Sequence, residues 1–387
     1  MKNQCGMPNA ECGMKFQARR CAPSLPLQPS AFNLQHSHPR PGVTLIELLI
    51  TMTIMAIIAA AILGTAAAAI EGSREKKTQS QIAKIHTLLM ERYASYETRR
   101  IDVDPRITSE IDKWVASAAN PAQFQERSTA RGQMLADARL IGLRELMKKE
   151  MPDQQKDVEH RTLILTQPPP LAQTYFRRYQ QLQSAGEGLS PAECLYLVVM
   201  NATGDGEART LFTKQDIGDV DEDGAPEFVD GWGNAIGWIR WPAGVVSDLQ
   251  PLNPDGTRPG EADHDPFDQF RRDAPTVITD INAYPDKPAG QQNVSFRTTY
   301  KTNMRNRMQL ASSTTPAASR LLAFRLTPLI HSGGPDAESA MRIAGETDTN
   351  QPLDPYYVTP DDYQAGAPSV TDPDTVKDNI TNHLIEY

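Results

Sequence analysis

From Leu48 to Ile70 the chain carries 23 consecutive residues without an ionisable group. As a helix that run is roughly 35 Å long, which matches the hydrocarbon thickness of a bilayer. A core helix with no polar face is much rarer, and the apolar part of a secretory signal is only about 7–15 residues long. The run therefore predicts one membrane-spanning helix. Its second half, AAAILGTAAAAI, is rich in small residues that let helices approach closely, a composition suited to helix–helix contact as well as anchoring. Residues 1–42 hold Lys2, Lys15, Arg19, Arg20 and Arg40 against the single acid Glu11. That positive leader predicts an inner-membrane, single-pass protein with its N-terminus cytoplasmic and its body periplasmic. Arg74, Lys76 and Lys77 on the far side weaken the bias. Glu47 then falls about one turn inside the cytoplasmic end, where an unpartnered charge costs a few kcal/mol, so an acid kept there is a functional candidate.

The residues around it carry a family resemblance. Arg40, then Gly42 followed by V-T-L-I-E-L-L-I, resembles the cleavage and methylation signal of type IV prepilins and type II secretion pseudopilins. Three features coincide: a glycine, a glutamate five residues after it, and an uninterrupted apolar helix. The resemblance implies that a prepilin peptidase cuts between Gly42 and Val43 and methylates Val43 as the new first residue. It also implies that Glu47 serves assembly, its carboxylate neutralising the new amine on its own or a neighbouring subunit. The family usually has phenylalanine where Val43 stands, and Pro41 and a 42-residue leader are less common than a short basic one. The implied partners are the peptidase, other copies or other pseudopilins in a filament, an inner-membrane assembly platform and membrane lipid.

The expected fold class is α+β: a long transmembrane and amphipathic N-terminal helix packed on a small antiparallel sheet, pilin-like, with a helical insertion. Residues 43–70 form the transmembrane half of the helix and 71–104 its amphipathic half. In the second half Ile82, Ile85, Leu88, Leu89, Tyr93 and Tyr96 fall three or four apart and define one apolar stripe. Pro105, in a DVDP run, is the expected stop. Residues 105–189 read as a helical insertion broken at QPPP (167–170), and 190–387 as the head with long loops. SPAECLYLVVM opens with a capping box, Ser190 and Glu193, and reads as a helix, although LYLVVM alone suits a strand. EFVDGWGNAIGWIRWP reads as a hairpin and RLLAFRLTPLIHSGG as a strand ending in a glycine turn. VDGWGNAI resembles the D-x-W-G-N-P segment of type II major pseudopilins, with Ala235 in place of proline. LIHSGGPDA resembles their S-x-G-x-D segment through Ser332, Gly334 and Asp336.

DVDEDGAPEFVD places Asp219, Asp221, Asp223, Glu227 and Asp230 at positions 1, 3, 5, 9 and 12 of a Ca2+ loop, with Gly224 at position 6. Asp230 stands where a bidentate glutamate is usual, Pro226 interrupts the loop and a strand follows, so an EF-hand is not expected. Either a simple Asp-rich Ca2+ turn or a solvated acidic loop fits the spacing. The resemblance to major pseudopilins separately implies a Ca2+ loop after the S-x-G-x-D segment. It would use Asp336 with an acid from the tail, Asp374 or Asp378. Ca2+ is the only cofactor expected.

Other functions are disfavoured. The net charge is −9, and beyond the leader's +4 the body carries −13. That sign repels phosphate backbones and favours cations, so nucleic-acid binding is not expected. Cys5, Cys12 and Cys21 lie in the leader and match no zinc spacing. Cys194 stands alone in the body and forms no internal disulfide. G-x-S-x-G, H-E-x-x-H and G-x-x-x-x-G-K-[ST] patterns are absent, and His331 beside Ser332 does not make a catalytic pair, so no enzyme activity is expected. Two functions remain open: a structural subunit of a type II secretion pseudopilus or type IV pilus-like filament, and a membrane-anchored periplasmic or surface binding module carrying the same signal.

Overall fold

The computed structural model describes residues 42–159, 162, 164–183, 188–202, 206–254, 262–272, 323–343, 355–356, 364–369 and 375–384. The leader and the carboxylate Asp374 lie outside them. The chain divides into two units, residues 1–62 and 63–387.

One helix, α1 (Leu45–Ser95), runs through 51 residues and enters both units. In the first unit its side chains are exposed, Leu45, Ile46, Leu49, Met52, Ile57 and Ile58 among them. By length and composition this part is able to cross a membrane. In the second unit the same helix becomes amphipathic. Ile82, Ile85, Leu88, Leu89, Tyr93 and Tyr96 are all buried. Each such side chain contributes about 1.5–3 kcal/mol of burial, so the stripe is the main seam between α1 and the rest of the body.

Proline does not end α1. The helix stops at Ser95, a 3-10 turn follows over Tyr96–Thr98, and Arg99 is extended. Pro105 instead opens α2 (Pro105–Ala116), where Asp104 caps the helix by accepting from the Arg106 N–H at 2.8 Å. Proline suits the first helical position because its missing N–H would be unpaired there anyway. The same chemistry starts α3 (Pro121–Glu150), capped by Asn120. It also starts α5 (Pro170–Gln183), after the short α4 (Gln155–Glu159). QPPP thus both ends one helical stretch and begins the next.

The helices of 105–189 do not stand apart from the head. Leu143, Leu146 and Met147 of α3 share one core with the α1 stripe. The same core takes Leu195, Val198 and Val199 from α6 (Pro191–Ala202) and Phe228, Trp238 and Ile330 from the sheets. α2 and α3 form a second cluster around Ile107, Ile111, Met134, Ala138 and Ile141. SPAECLYLVVM is helical, and its box closes as the sequence implies. The Ser190 N–H donates to Glu193 Oε2, and the Glu193 N–H donates to Ser190 Oγ at 3.2 Å. A short helix, α7 (Glu207–Leu211), follows.

The strands are short and antiparallel. β1 (Ile217–Gly218) pairs with β2 (Glu227–Phe228). β3 (Gly237–Ile239), β4 (Leu329–Ser332) and β5 (Ile380–Thr381) form a three-stranded sheet with β4 in the middle. The expected hairpin at 227–242 is therefore divided between two sheets. Its turn is real, closed by the bridge Val229 to Ala235 and by the Asp230 N–H donating to Asn234 O at 2.9 Å. Beyond the turn, β3 takes β4 as its partner because Trp238 and Ile239 are buried there opposite Ile330 and Leu329. The result is the expected α+β class.

Candidate functional site

Gly42 and Val43 are exposed and precede the helix. Thr44 is the N-cap of α1 and Glu47 its third helical residue. The Thr44 N–H donates to Glu47 Oε2 at 2.8 Å, the Thr44 hydroxyl donates to the same oxygen at 2.9 Å, and the Glu47 N–H donates back to Thr44 Oγ1 at 3.3 Å. This is a reciprocal capping box, which satisfies N–H groups that a helix start otherwise leaves unpaired. Sequence reading of the motif missed it, although T-L-I-E is an S/T-x-x-E signature. The box also reduces the cost of an acid in an apolar setting, since the carboxylate arrives with partners of its own.

In the head, the two short segments that resemble major pseudopilins meet. Asp230 Oδ1 accepts the N–H groups of Trp232, Gly233 and Asn234 at 2.8–2.9 Å. Its Oδ2 accepts the hydroxyl of Ser332 at 2.7 Å. Asn234 Nδ2 donates to Gly334 O at 2.9 Å. Asp230 and Ser332 are fully buried. The turn rests on α1: the Gly231 N–H donates to Thr78 Oγ1 at 2.9 Å, and Trp232 Nε1 donates to Glu71 Oε1 at 2.7 Å. Gly231 is required by approach, because a Cβ there would lie 2.3 Å from Arg74 O. Asp230 thus organises the D-x-W-G-N turn with both oxygens, and it stands apart from the other acids of its loop.

Of the remaining acids, Asp219, Asp221 and Asp223 converge, with one ligand oxygen from each lying within 4.8 Å of the others. Glu227 is buried at the start of β2 and accepts the Val220 N–H at 2.9 Å. Burial raises its pKa, and the charges of Asp221, Asp219 and Asp223 add to the shift. Asp336 is exposed and accepts the Glu338 N–H at 2.9 Å, a local turn bond. It is not part of a converging group of three ligands among the described residues.

Sequence reasoning missed a buried charge network between α3, α4 and β3. Arg240, 2% exposed, pairs with Asp153 at 3.1 Å and Asp157 at 2.8 Å, and Lys148 pairs with Asp157 at 3.1 Å. Burial pushes Asp153 up to about 6, while Arg240 and Lys148 hold Asp157 low against the same burial. A second cluster joins α1 to α3 through Glu150, which accepts from Arg92, from Arg99 at 2.9 Å and from the Tyr96 hydroxyl at 2.7 Å. Alternating charge on polar helices was the only signal, and it looks the same on a solvated face.

Residues 39–63 match the family described as the prokaryotic N-terminal methylation motif. No curated protein and no solved structure matches the chain. The matched segment spans the glycine, the glutamate and the first part of the apolar helix. It supports a type IV prepilin-like precursor, and among the described residues α1 is the one helix long and apolar enough to cross a membrane.

Proposed function

We propose that the chain is the precursor of a structural subunit, cut between Gly42 and Val43 and methylated at Val43 by a prepilin peptidase. The subunit then assembles through its apolar helix into a type II secretion pseudopilus or type IV pilus-like filament. The observation that carries this reading is the motif at 42–47, with its match over residues 39–63, leading without interruption into an exposed apolar helix. An apolar surface of that length needs lipid before assembly, and the small residues in its second half suit packing against other copies afterwards. The joining of the D-x-W-G-N and S-x-G-x-D segments through Asp230 and Ser332 supports a head of pseudopilin type. The leader is read as cytoplasmic and the body as periplasmic.

Mass spectrometry of the mature N-terminus tests the proposal in one measurement, the expected species beginning with methylated Val43. Gly42→Ala is expected to block cleavage. Glu47→Val is expected to leave cleavage largely intact and to lower recovery in filaments. A fully functional uncleaved chain overturns the proposal, and absence of filaments alongside correct processing favours a membrane-anchored binding module.

A further inference from the structure

The loop between β1 and β2 brings together three carboxylates that nothing in the fold requires to be close. Each spends one oxygen on the backbone of its own loop. Asp219 Oδ2 accepts the Gly224 N–H at 3.0 Å, Asp221 Oδ1 the Asp223 N–H at 3.4 Å, and Asp223 Oδ1 the Ala225 N–H at 2.7 Å. The second oxygen of each is left for another partner. Such a cluster alone is common on protein surfaces and proves nothing.

An independent observation comes from the neighbouring helix. Glu193, in the first turn of α6, is 1% exposed, and its Oε1 has no hydrogen-bond partner. Oε2 closes the capping box with Ser190, so the helix start needs only one of the two oxygens. A buried carboxylate oxygen without a partner is costly, and the cost calls for a ligand. Ala225, two residues after Asp223, belongs to the same buried apolar cluster as Cys194, the residue after Glu193, which places α6 beside the loop. Burial raises the pKa of Glu193 against its hydrogen bonds from Ser190, and the charges of Asp223 and Asp221 add to the rise. Phe228 of β2 stacks obliquely on Tyr196 of α6 with ring centroids 5.4 Å apart, which packs β2 against α6.

We propose that Asp219, Asp221 and Asp223, with Glu193 from α6 and Glu227 from β2, bind one divalent cation of the hardness and size of Ca2+. Every donor is an oxygen, as a hard cation requires. The oxygens of Asp219, Asp221 and Asp223 lie within 4.8 Å of one another, a separation that an ion with oxygen ligands about 2.3–2.6 Å away can bridge. Mg2+ demands a tighter octahedron and gives up its water reluctantly, so a flexible loop of this kind favours Ca2+. Glu193 extends the set beyond the loop and ties α6 to β2 through the ion. Asp230 is excluded because its oxygens hold the turn and Ser332. Arg178 donates to Gly224 O, a backbone carbonyl of the same loop. Binding at this loop is independent of processing at Gly42.

The test uses the full-length protein in detergent micelles, stripped with a chelator and titrated with CaCl2 or MgCl2 by calorimetry and thermal unfolding. One equivalent of Ca2+ is expected to bind and raise the melting temperature, with MgCl2 much weaker. Asp221→Asn is expected to abolish binding. Glu193→Gln keeps an oxygen for Ser190 and relieves repulsion, so its chelated form is expected to melt at or above the wild-type temperature while Ca2+ affinity falls at least about tenfold. Asp336→Asn is expected to bind as wild type. No saturable binding at millimolar Ca2+ overturns the proposal. So does Glu193→Gln with wild-type affinity, or loss of binding in Asp336→Asn but not in Asp221→Asn.

Discussion

Glu150 is the point at which the helical region after α1 holds the foot of α1, and Glu150→Gln measures that hold. The carboxylate is 2% exposed and accepts from Arg92, Arg99 and the Tyr96 hydroxyl. Removing one member of a buried ion pair typically costs about 3–5 kcal/mol, because the remaining charge is left desolvated. Here the two arginines are 20% and 38% exposed, so both recover water when the charge is lost. The glutamine oxygen also keeps the tyrosine hydroxyl as a donor. The expected loss is therefore about 2 kcal/mol, below the fully buried case. The assay is denaturant unfolding of the full chain in detergent, followed by tryptophan emission, since Trp238 and Trp241 lie in the main core. A double-mutant cycle with Arg92→Gln is expected to show a coupling of more than 0.5 kcal/mol, the range for residues sharing one network. A Glu150→Gln protein within about 0.5 kcal/mol of wild type behaves like a surface substitution, and it would refute the claim that α3 is integral to the head.

Two further outcomes follow from the geometry of the body. Gly231→Ala places a methyl group 2.3 Å from the Arg74 carbonyl, a backbone atom that cannot swing aside. A loss of about 1–3 kcal/mol is expected, read as a lower melting temperature with detachment of Trp232 from Glu71. Burial pulls His331 down to about 4, so the unfolded chain binds this proton between about pH 6.5 and 4 while the folded chain does not. Stability from this residue is complete above pH 6.5 and falls as pH drops, by up to about 1.4 kcal/mol per pH unit. Unfolding midpoints of wild type and His331→Gln at pH 7, 5.5 and 4 check this, the variant showing the shallower decline. His383 is lowered to about 4 by the same cause, so part of the decline persists in the variant.

What the sequence revealed and what it hid divide along the range of the interactions. The apolar stripe of α1, the box at Ser190 and Glu193 and the proline starts are all local, and spacing alone exposes them. Pro105 was misread because proline both follows one helix and opens another, and only the Asp104 cap tells which end is present. The hairpin at 227–242 divided because strand partners are chosen by burial across the chain: Gly237 pairs with His331, almost a hundred residues away. The buried pairs of Arg240 and Glu150 were invisible for the same reason. In the candidate site, D-x-D-x-D was legible as a cation pattern. Glu193 was seen only as a cap, because its second oxygen has meaning only once α6 lies beside the loop.

Under the proposed processing, Glu47 is one carboxylate that serves two states of the same chain. It holds Thr44 through Oε2, and among the described residues Oε1 has no hydrogen bond. The proposed cleavage after Gly42 would create an amine at Val43, one residue before the cap, and a neighbouring subunit in the proposed filament would bring another. The free oxygen can take either without dismantling the helix start. Thr44→Val removes the hydroxyl part of the cap and keeps the charge, whereas Glu47→Gln keeps an acceptor for Thr44 and removes the charge. If the acid served only the helix start, Thr44→Val should be the more damaging to filament recovery, with a local loss of about 1 kcal/mol. If it serves the amine, Glu47→Gln should be the more damaging, because no cap can replace a charge needed against a desolvated ammonium. Quantifying filaments of the two variants at equal levels of cleaved subunit decides between them. The proposed assembly role requires Glu47→Gln to be the poorer.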